Sequence, residues 1–333
     1  ALVIGVYQIF HASINLVTYV LYRKNKIRPR FRLLLDGLVL VFLGGTSLLS
    51  STGNSVFQLF VLGAYFFLYG LSNIRDGFLF EEEIGKNHLK RRIRISLPIV
   101  LAALIPARTL AKINKFMLEN ADEREDIHLG MVKSGKTAEL EIFVHTAETS
   151  LFSAIGHVDI CYQGRVISYG NYDPSSETLF GMVGDGVLYF CDRDKYIDLC
   201  KRESQKTLFG YGIDLTPEME KAVQKKLAEL KQLTIPWEPS ADKIMTGDGK
   251  EDYTYAYKIR HETDGELYKF IKSKFKSYFV LSTNCVLLAD TIVGQAGTDI
   301  LSPKGFIAPG TYQAYLNREF EKPNSIVVSK HVY

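Results

Sequence analysis

Cys285 and His157 are the side chains in this sequence whose types and settings best suit nucleophilic chemistry. Cys285 lies in Ser282-Thr283-Asn284-Cys285-Val286-Leu287-Leu288-Ala289-Asp290, where a β-prone run from Ser277 to Leu281 gives way to an apolar helix. Ser282 or Thr283 can cap that helix, and Val286, Leu287, Ile292 and Val293 supply its apolar face. Cys285 then falls in the first turn, where unpaired backbone N–H groups and the positive end of the helix dipole favour thiolate over thiol. The usual fate of a lone cysteine is that of a small buried hydrophobe. His157 tilts the reading toward chemistry. It sits near the start of a short strand in Ala154-Ile155-Gly156-His157-Val158-Asp159-Ile160, and a thiol with a distant histidine is the minimum for Cys-His acyl transfer.

The elements that must hold these residues fall into two contrasting parts. The chain has 333 residues, a length that suggests two domains, and its 47% apolar content hides a division: nearly all long apolar runs precede residue 112. The expected organisation is a helical membrane domain over 1–112, a charged linker over 113–137 and a catalytic domain over 138–333. Four spans are expected: Ala1 to Tyr22, Leu33 to Ser50, Ser55 to Leu71, and a Pro-interrupted run from about Ile95 to Ala111. The first is read as a span rather than a cleaved signal peptide, because it lacks a basic n-region and a small-residue cleavage site. Gly44, Gly45, Gly63 and Ala64 would let the second and third helices approach closely across the turn Ser51-Thr52-Gly53-Asn54. His11 and Asn15, polar groups within the first span, are read as packing residues between helices. Four spans with small residues in the hairpin and Tyr69-Gly70-Leu71 closing the third resemble the HdeD-type small membrane proteins.

Basic residues set the orientation, since Lys and Arg stay on the cytoplasmic side. Arg23, Lys24, Lys26, Arg28, Arg30 and Arg32 follow the first span, and Arg75, Lys86, Lys90, Arg91, Arg92 and Arg94 follow the third. If the fourth run crosses, the catalytic domain lies outside the cytoplasm, which is the expectation. A net charge of +3 is too small to argue for nucleic acid. Gly130-Met131-Val132-Lys133-Ser134-Gly135-Lys136-Thr137 fits the phosphate-binding loop pattern, but acidic sequence precedes it and a strand-like run follows, so no nucleotide is expected.

Beyond residue 138 the patterning predicts strands at 140–146, 156–162, 165–171 and 186–191, with Gln163-Gly164 as a two-residue hairpin turn. Helices are predicted at 194–203 and 216–233, a further strand at 252–260 and a helix at 265–276. Strands and helices are segregated, which favours an α+β fold over a doubly wound sheet. If the turn has two residues, His157 pairs with Gly170 and shares a face with Ser168; a bulge at Gly170 would turn Asn171 inward instead. His145, in mid-strand, could line the site, but is read as a packed or solvated side chain. His88, His128, His261 and His331 have no ligand spacing, and neither metal nor cofactor is expected. Cys191 and Cys200 are left as either a bridge or two buried thiols.

The run Phe152-Ser153-Ala154-Ile155-Gly156-His157, then Ile167-Ser168-Tyr169-Gly170-Asn171-Tyr172-Asp173, then Thr283-Asn284-Cys285 resembles the permuted papain-like (NlpC-type) thiol hydrolases. In that group the histidine strand precedes the cysteine helix. It includes lecithin retinol acyltransferase-like lipid enzymes and the catalytic domains of bacterial lipoprotein N-acyltransferases, whose signatures are the nearest. The similarity covers roughly Leu140 to Gly297. It implies a permuted papain-like fold, Cys285 as nucleophile, His157 as base, Asn171 as the papain-type orienting residue with Ser168 in reserve, and Asn284 beside the Cys285 N–H as an oxyanion donor. It also implies a membrane lipid or lipoprotein substrate, attacked through a Cys285 thioester by a cysteine acyltransferase or acyl hydrolase. The mixed cations and aromatics of Tyr268 to Lys276 would suit an anionic membrane face. A membrane-tethered cell-wall peptidase or amidase is the alternative.

Overall fold

The computed structural model describes residues 2–28, 30–49, 59–60, 63, 67, 131–133, 138–145, 157–204, 208–245, 249, 251–294, 313, 316–317, 319–322 and 325–333. The chain divides into two compact units, Ala1–His88 and Leu89–Tyr333. Apart from isolated positions, the expected third and fourth spans and the linker up to residue 130 lie outside the described residues, as do the boundaries at 112 and 137.

In the first unit, α1 (Leu2–Lys24) and α2 (Phe31–Leu49) form an antiparallel pair. Small residues bring them together: a Cβ on Gly44 would meet the Ile9 side chain at 2.8 Å and the Gly5 carbonyl at 3.0 Å. Gly44 serves contact with the first helix, and the expected approach of the second and third helices lies outside the described residues. Gln8 is fully buried against Ser47, whose hydroxyl lies 3.4 Å from Gln8 Oε1. Among the described residues one helix, Phe31–Leu49, is long and apolar enough to cross a membrane.

The second unit is an α+β domain built on an antiparallel sheet. Its strands are β1 (Met131–Val132), β2 (Leu140–His145), β3 (His157–Tyr162), β4 (Arg165–Gly170), β6 (Val187–Asp192), β7 (Leu208–Ile213), β8 (Thr234–Pro236), β11 (Glu266–Phe270) and β13 (Val327–Val332), in the order β1-β13-β7-β2-β3-β4-β6-β11-β8. Two small ribbons flank it: β5 (Val183–Asp185) with β12 (Ser277–Phe279), and β9 (Lys243–Met245) with β10 (Glu251–Tyr253). Met131 and Val132 of the phosphate-loop pattern form β1, which pairs with β13.

Alternation along the strands assigns the two faces. Leu140, Ile142, Val144, Val158, Ile160, Ile167 and Tyr169 point to one face, where α6 (Cys285–Val293) packs Val286, Leu288, Ala289, Ile292 and Val293 against them. Each such fully buried aliphatic side chain is worth roughly 1.5–3 kcal/mol. The other face takes Phe143, Cys161, Val166, Tyr189 and Cys191, covered by α3 (Arg193–Ser204) and α5 (Tyr255–Glu262). A further helix, α4 (Pro217–Lys231), begins at Thr216, whose hydroxyl accepts from Met219 N.

Two elements differ from the sequence expectation. The predicted strand at 252–260 is mostly α5, because Thr254 caps the Tyr257 N–H at 3.2 Å and Ala256 and Ile259 bury on one helical face. The predicted helix at 265–276 is instead β11, which fills the gap between β6 and β8. Sheet pairing overrides its helical spacing of apolar residues. Lys269 is thereby held in an ion pair with Asp173 at 2.5 Å and with Asp185 at 2.9 Å, and Phe270 and Phe275 are buried. Tyr268 to Lys276 thus does not present the amphipathic helix its sequence suggested.

Candidate active site

The hairpin joining β3 to β4 sets the register of the site. Gln163 (φ 51°) and Gly164 (φ 73°) form the two-residue turn, with both residues in the left-handed region that a primed hairpin turn requires. The ladder then runs from Tyr162 opposite Arg165 to Ile160 opposite Ile167. In this register His157, Asp159 and Ser168 project from the same face of the sheet, at the open end of the hairpin.

Cys285 reaches them from the other face. Asn284 caps α6, its Oδ1 accepting from Leu287 N at 3.1 Å, so Cys285 is the first helical residue. The cap is one residue later than Thr283 and two later than Ser282, the positions expected from sequence. Cys285 is an electrostatic neighbour of both His157 and Tyr278, close enough to raise the pKa of each. Thiol and imidazole are therefore together, as the sequence suggested.

Around the imidazole the arrangement is richer than expected. His157 Nε2 lies 2.9 Å from Ser168 Oγ and 3.0 Å from Tyr172 OH, and these two hydroxyls are 2.9 Å from each other. Asp159 Oδ1 is 2.8 Å from the same nitrogen but has no aligned hydrogen-bond donor, so this contact is a charge pair rather than a directed N–H bond. The other carboxylate oxygen, Oδ2, accepts from Tyr196 OH at 2.6 Å and sits 2.7 Å from His145 Nε2. Gly170 makes room for this packing, since a Cβ there would press on the Tyr172 ring at 2.6 Å.

The electrostatics follow from burial and one carboxylate. Burial lowers His157, but the nearby Asp159 and Cys285 outweigh it and hold the imidazole well above its ordinary 6.5. Burial alone would raise Asp159; the charge of His157 and the hydrogen bond at His145 prevail and keep it far below the usual carboxylate range. Burial, then the neighbouring Cys285, pushes the Tyr278 hydroxyl up, so it stays protonated beside the sulfur. Burial likewise pushes the Cys161 thiol up to about 12 and raises Cys191 further. Cys161, Cys191 and Cys200 are buried free thiols, so Cys191 and Cys200 form no bridge.

Two residues assigned by the resemblance have other hydrogen-bond partners. Asn171 does not contact His157: its Nδ2 points to the Gly181 carbonyl at 3.5 Å, and its side chain packs where a Cβ on Gly184 would stand. β4 pairs with β6 in regular register through Gly170 opposite Val187, while the β3–β4 ladder ends at Ile160 opposite Ile167, short of the expected His157–Gly170 pair. The reserve residue, Ser168, is the one that reaches the imidazole. Asn284 uses Oδ1 for the helix cap and one of its two Nδ2 hydrogens for the Val280 carbonyl at 3.0 Å, so its amide is oriented by the cap and the preceding turn.

Sequence reasoning passed over Asp159, Tyr172, Tyr278 and Tyr196, and set His145's place in the site below a packing role. The available signal was the spacing His157-Val158-Asp159, which in a strand puts acid and base on one face. A cavity of about 430 Å³ opens on the site; His145, His157, Asn171, Tyr172, Tyr255 and Tyr278 are among its lining residues. Among the described residues no cluster of His, Cys, Asp and Glu could hold a metal ion. Comparison of the chain with family models, curated proteins and solved structures found no match.

Proposed function

We propose that the chain is a membrane-bound cysteine acyltransferase or acyl hydrolase with a permuted papain-like catalytic domain, working through a Cys285 thioester on phospholipid or lipoprotein acyl groups. The observation that carries the reading is His157 placed beside Cys285 with the charge of Asp159 2.8 Å from its Nε2. Such a pair needs a nucleophile, a base in contact with it, and a third group that fixes the base and stabilises its cation. With Nε2 occupied by Ser168, Tyr172 and Asp159, Nδ1 is the nitrogen that serves the thiol. Cys285 attacks the acyl carbonyl carbon; His157 takes the thiol proton and delivers it to the departing alcohol or amine. An incoming amine or water then gives its proton to His157 as it displaces the thioester. The Cys285 backbone N–H, in the first turn of α6, and the protonated Tyr278 hydroxyl are the proposed oxyanion donors.

Long-chain acyl esters in phospholipid vesicles, compared with soluble muropeptides, separate the lipid reading from the cell-wall peptidase or amidase. Turnover confined to the peptides would overturn the lipid reading.

The catalytic domain is proposed to lie outside the cytoplasm. With Cys161, Cys191, Cys200 and Cys285 replaced, a single cysteine introduced as Ser240→Cys is expected to react with a membrane-impermeant maleimide on intact cells. Ser240 is exposed, bonded only to the neighbouring Asp242 by its hydroxyl at 2.6 Å. Labelling that appears only after the cells are opened would put the domain in the cytoplasm.

A further inference from the structure

We infer that His145 and Tyr196 are positioning residues of the proposed thiol site, acting on Cys285 through the far oxygen of Asp159. The inference rests on the Cys-His reading above. β2 and β3 pair with His145 opposite His157, so Asp159, two residues along the same face, comes within reach of both rings. The two ring centroids are 5.5 Å apart. Asp159 divides its oxygens between them: Oδ1 faces His157 Nε2 at 2.8 Å, and Oδ2 takes His145 Nε2 at 2.7 Å and Tyr196 OH at 2.6 Å. Tyr196 OH also lies 3.2 Å from His145 Nε2, closing a three-membered cluster on that oxygen.

Geometry gives this cluster a task that packing would not require. Asp159 is buried, and because Oδ1 receives no aligned N–H from His157, that contact does not fix the carboxylate plane. The bonds at Oδ2 are the directed ones, so they hold the plane in place and keep the negative charge beside the imidazole. Around Asp159 the hydroxyls of Tyr172, Tyr189 and Tyr255 are raised by burial and stay neutral, leaving the carboxylate as the charge they all face. Loss of the Oδ2 partners frees the carboxylate to turn toward other donors, and the imidazolium that stabilises a Cys285 thiolate weakens.

The test measures alkylation of Cys285 by iodoacetamide against pH, followed by mass spectrometry of its peptide, together with hydrolysis of a p-nitrophenyl acyl ester. His145→Ala and Tyr196→Phe are each expected to lower kcat by about ten- to hundredfold, the size of a hydrogen bond to a buried charge, with KM little changed. Both are also expected to move thiolate formation to higher pH. His145→Gln, which keeps a donor near the Nε2 position, is expected to restore most of the loss. An unmoved pH profile in either His145→Ala or Tyr196→Phe overturns the inference, as does a loss of kcat that His145→Gln fails to rescue. Should His145→Ala not fold, Tyr196→Phe decides alone. An unreactive Cys285 in the unaltered protein would instead overturn the Cys-His reading itself, which keeps the two failures apart.

Discussion

Cys285→Ala is expected to abolish acyl-ester turnover, a loss of several orders of magnitude in kcat, while leaving the fold in place. Removing the nucleophile of a unit that acts together costs nearly the whole of the chemical step. The structural cost is small, because one sulfur leaves a snug position at the start of α6 while Val286, Leu288 and Ile292 keep their packing. A change on the order of 1 kcal/mol in unfolding free energy is expected from the loss of so few buried atoms. Parallel kinetics and urea unfolding check both halves. Residual turnover above about a hundredth of the original rate would exclude a thioester at this residue.

Asp159→Asn is expected to act next most strongly, lowering kcat/KM on the order of 10³-fold or more, as loss of the third member of a triad does. The sign of its pH effect follows from the forces on His157. Burial lowers that imidazole and Asp159 opposes it; with Asp159 neutral, burial gains and the imidazole falls. Thiolate formation then moves to higher pH and loss of the imidazolium to lower pH, so the active window narrows from both sides. Stability responds as well. His157, held above its ordinary 6.5, contributes stability that is fully present below that value and fades as pH rises through the folded one. Asp159, held below its ordinary 3.8, contributes stability present above that value and lost as pH falls through the folded one. The native protein's advantage over Asp159→Asn in urea midpoint is therefore expected to be greatest between these two ordinary values. Breaking a buried pair suggests about 3–5 kcal/mol there. An unchanged pH profile with unchanged stability would remove Asp159 from the site.

What the sequence made legible were the features that a local pattern encodes. The apolar runs of α1 and α2, the alternation of β2 to β4, the Gln163-Gly164 turn and the Thr216-Pro217 helix start each carry their signal within a few residues. The Cys285 helix and its distant histidine were legible for the same reason. The features missed depend on tertiary placement. β11 carries helical spacing of apolar residues yet lies between β6 and β8, and β7 and β13 are short strands recognisable only by the partners they pair with. Asn171 and Asn284 carry the right chemistry for orienting and oxyanion roles, but the first turns to a loop carbonyl and the second is oriented by a helix cap. Tyr172 and Tyr278 reach the site only because Gly170 leaves space for one ring and β12 carries the other alongside β5. His145 ranked below a packing role, since nothing in Leu140-Glu141-Ile142-Phe143-Val144-His145 reveals the strand it will face.

Acyl transfer through Cys285 is tested most directly by trapping the covalent intermediate. Protein purified from membranes, or incubated with an acyl ester and quenched in acid, is examined by intact mass and peptide mapping. The expected result is an added acyl mass on the peptide containing Cys285, released by neutral hydroxylamine and absent in Cys285→Ala. Steady ester turnover with Cys285 unmodified throughout, or an acyl group carried on another residue, would contradict the account.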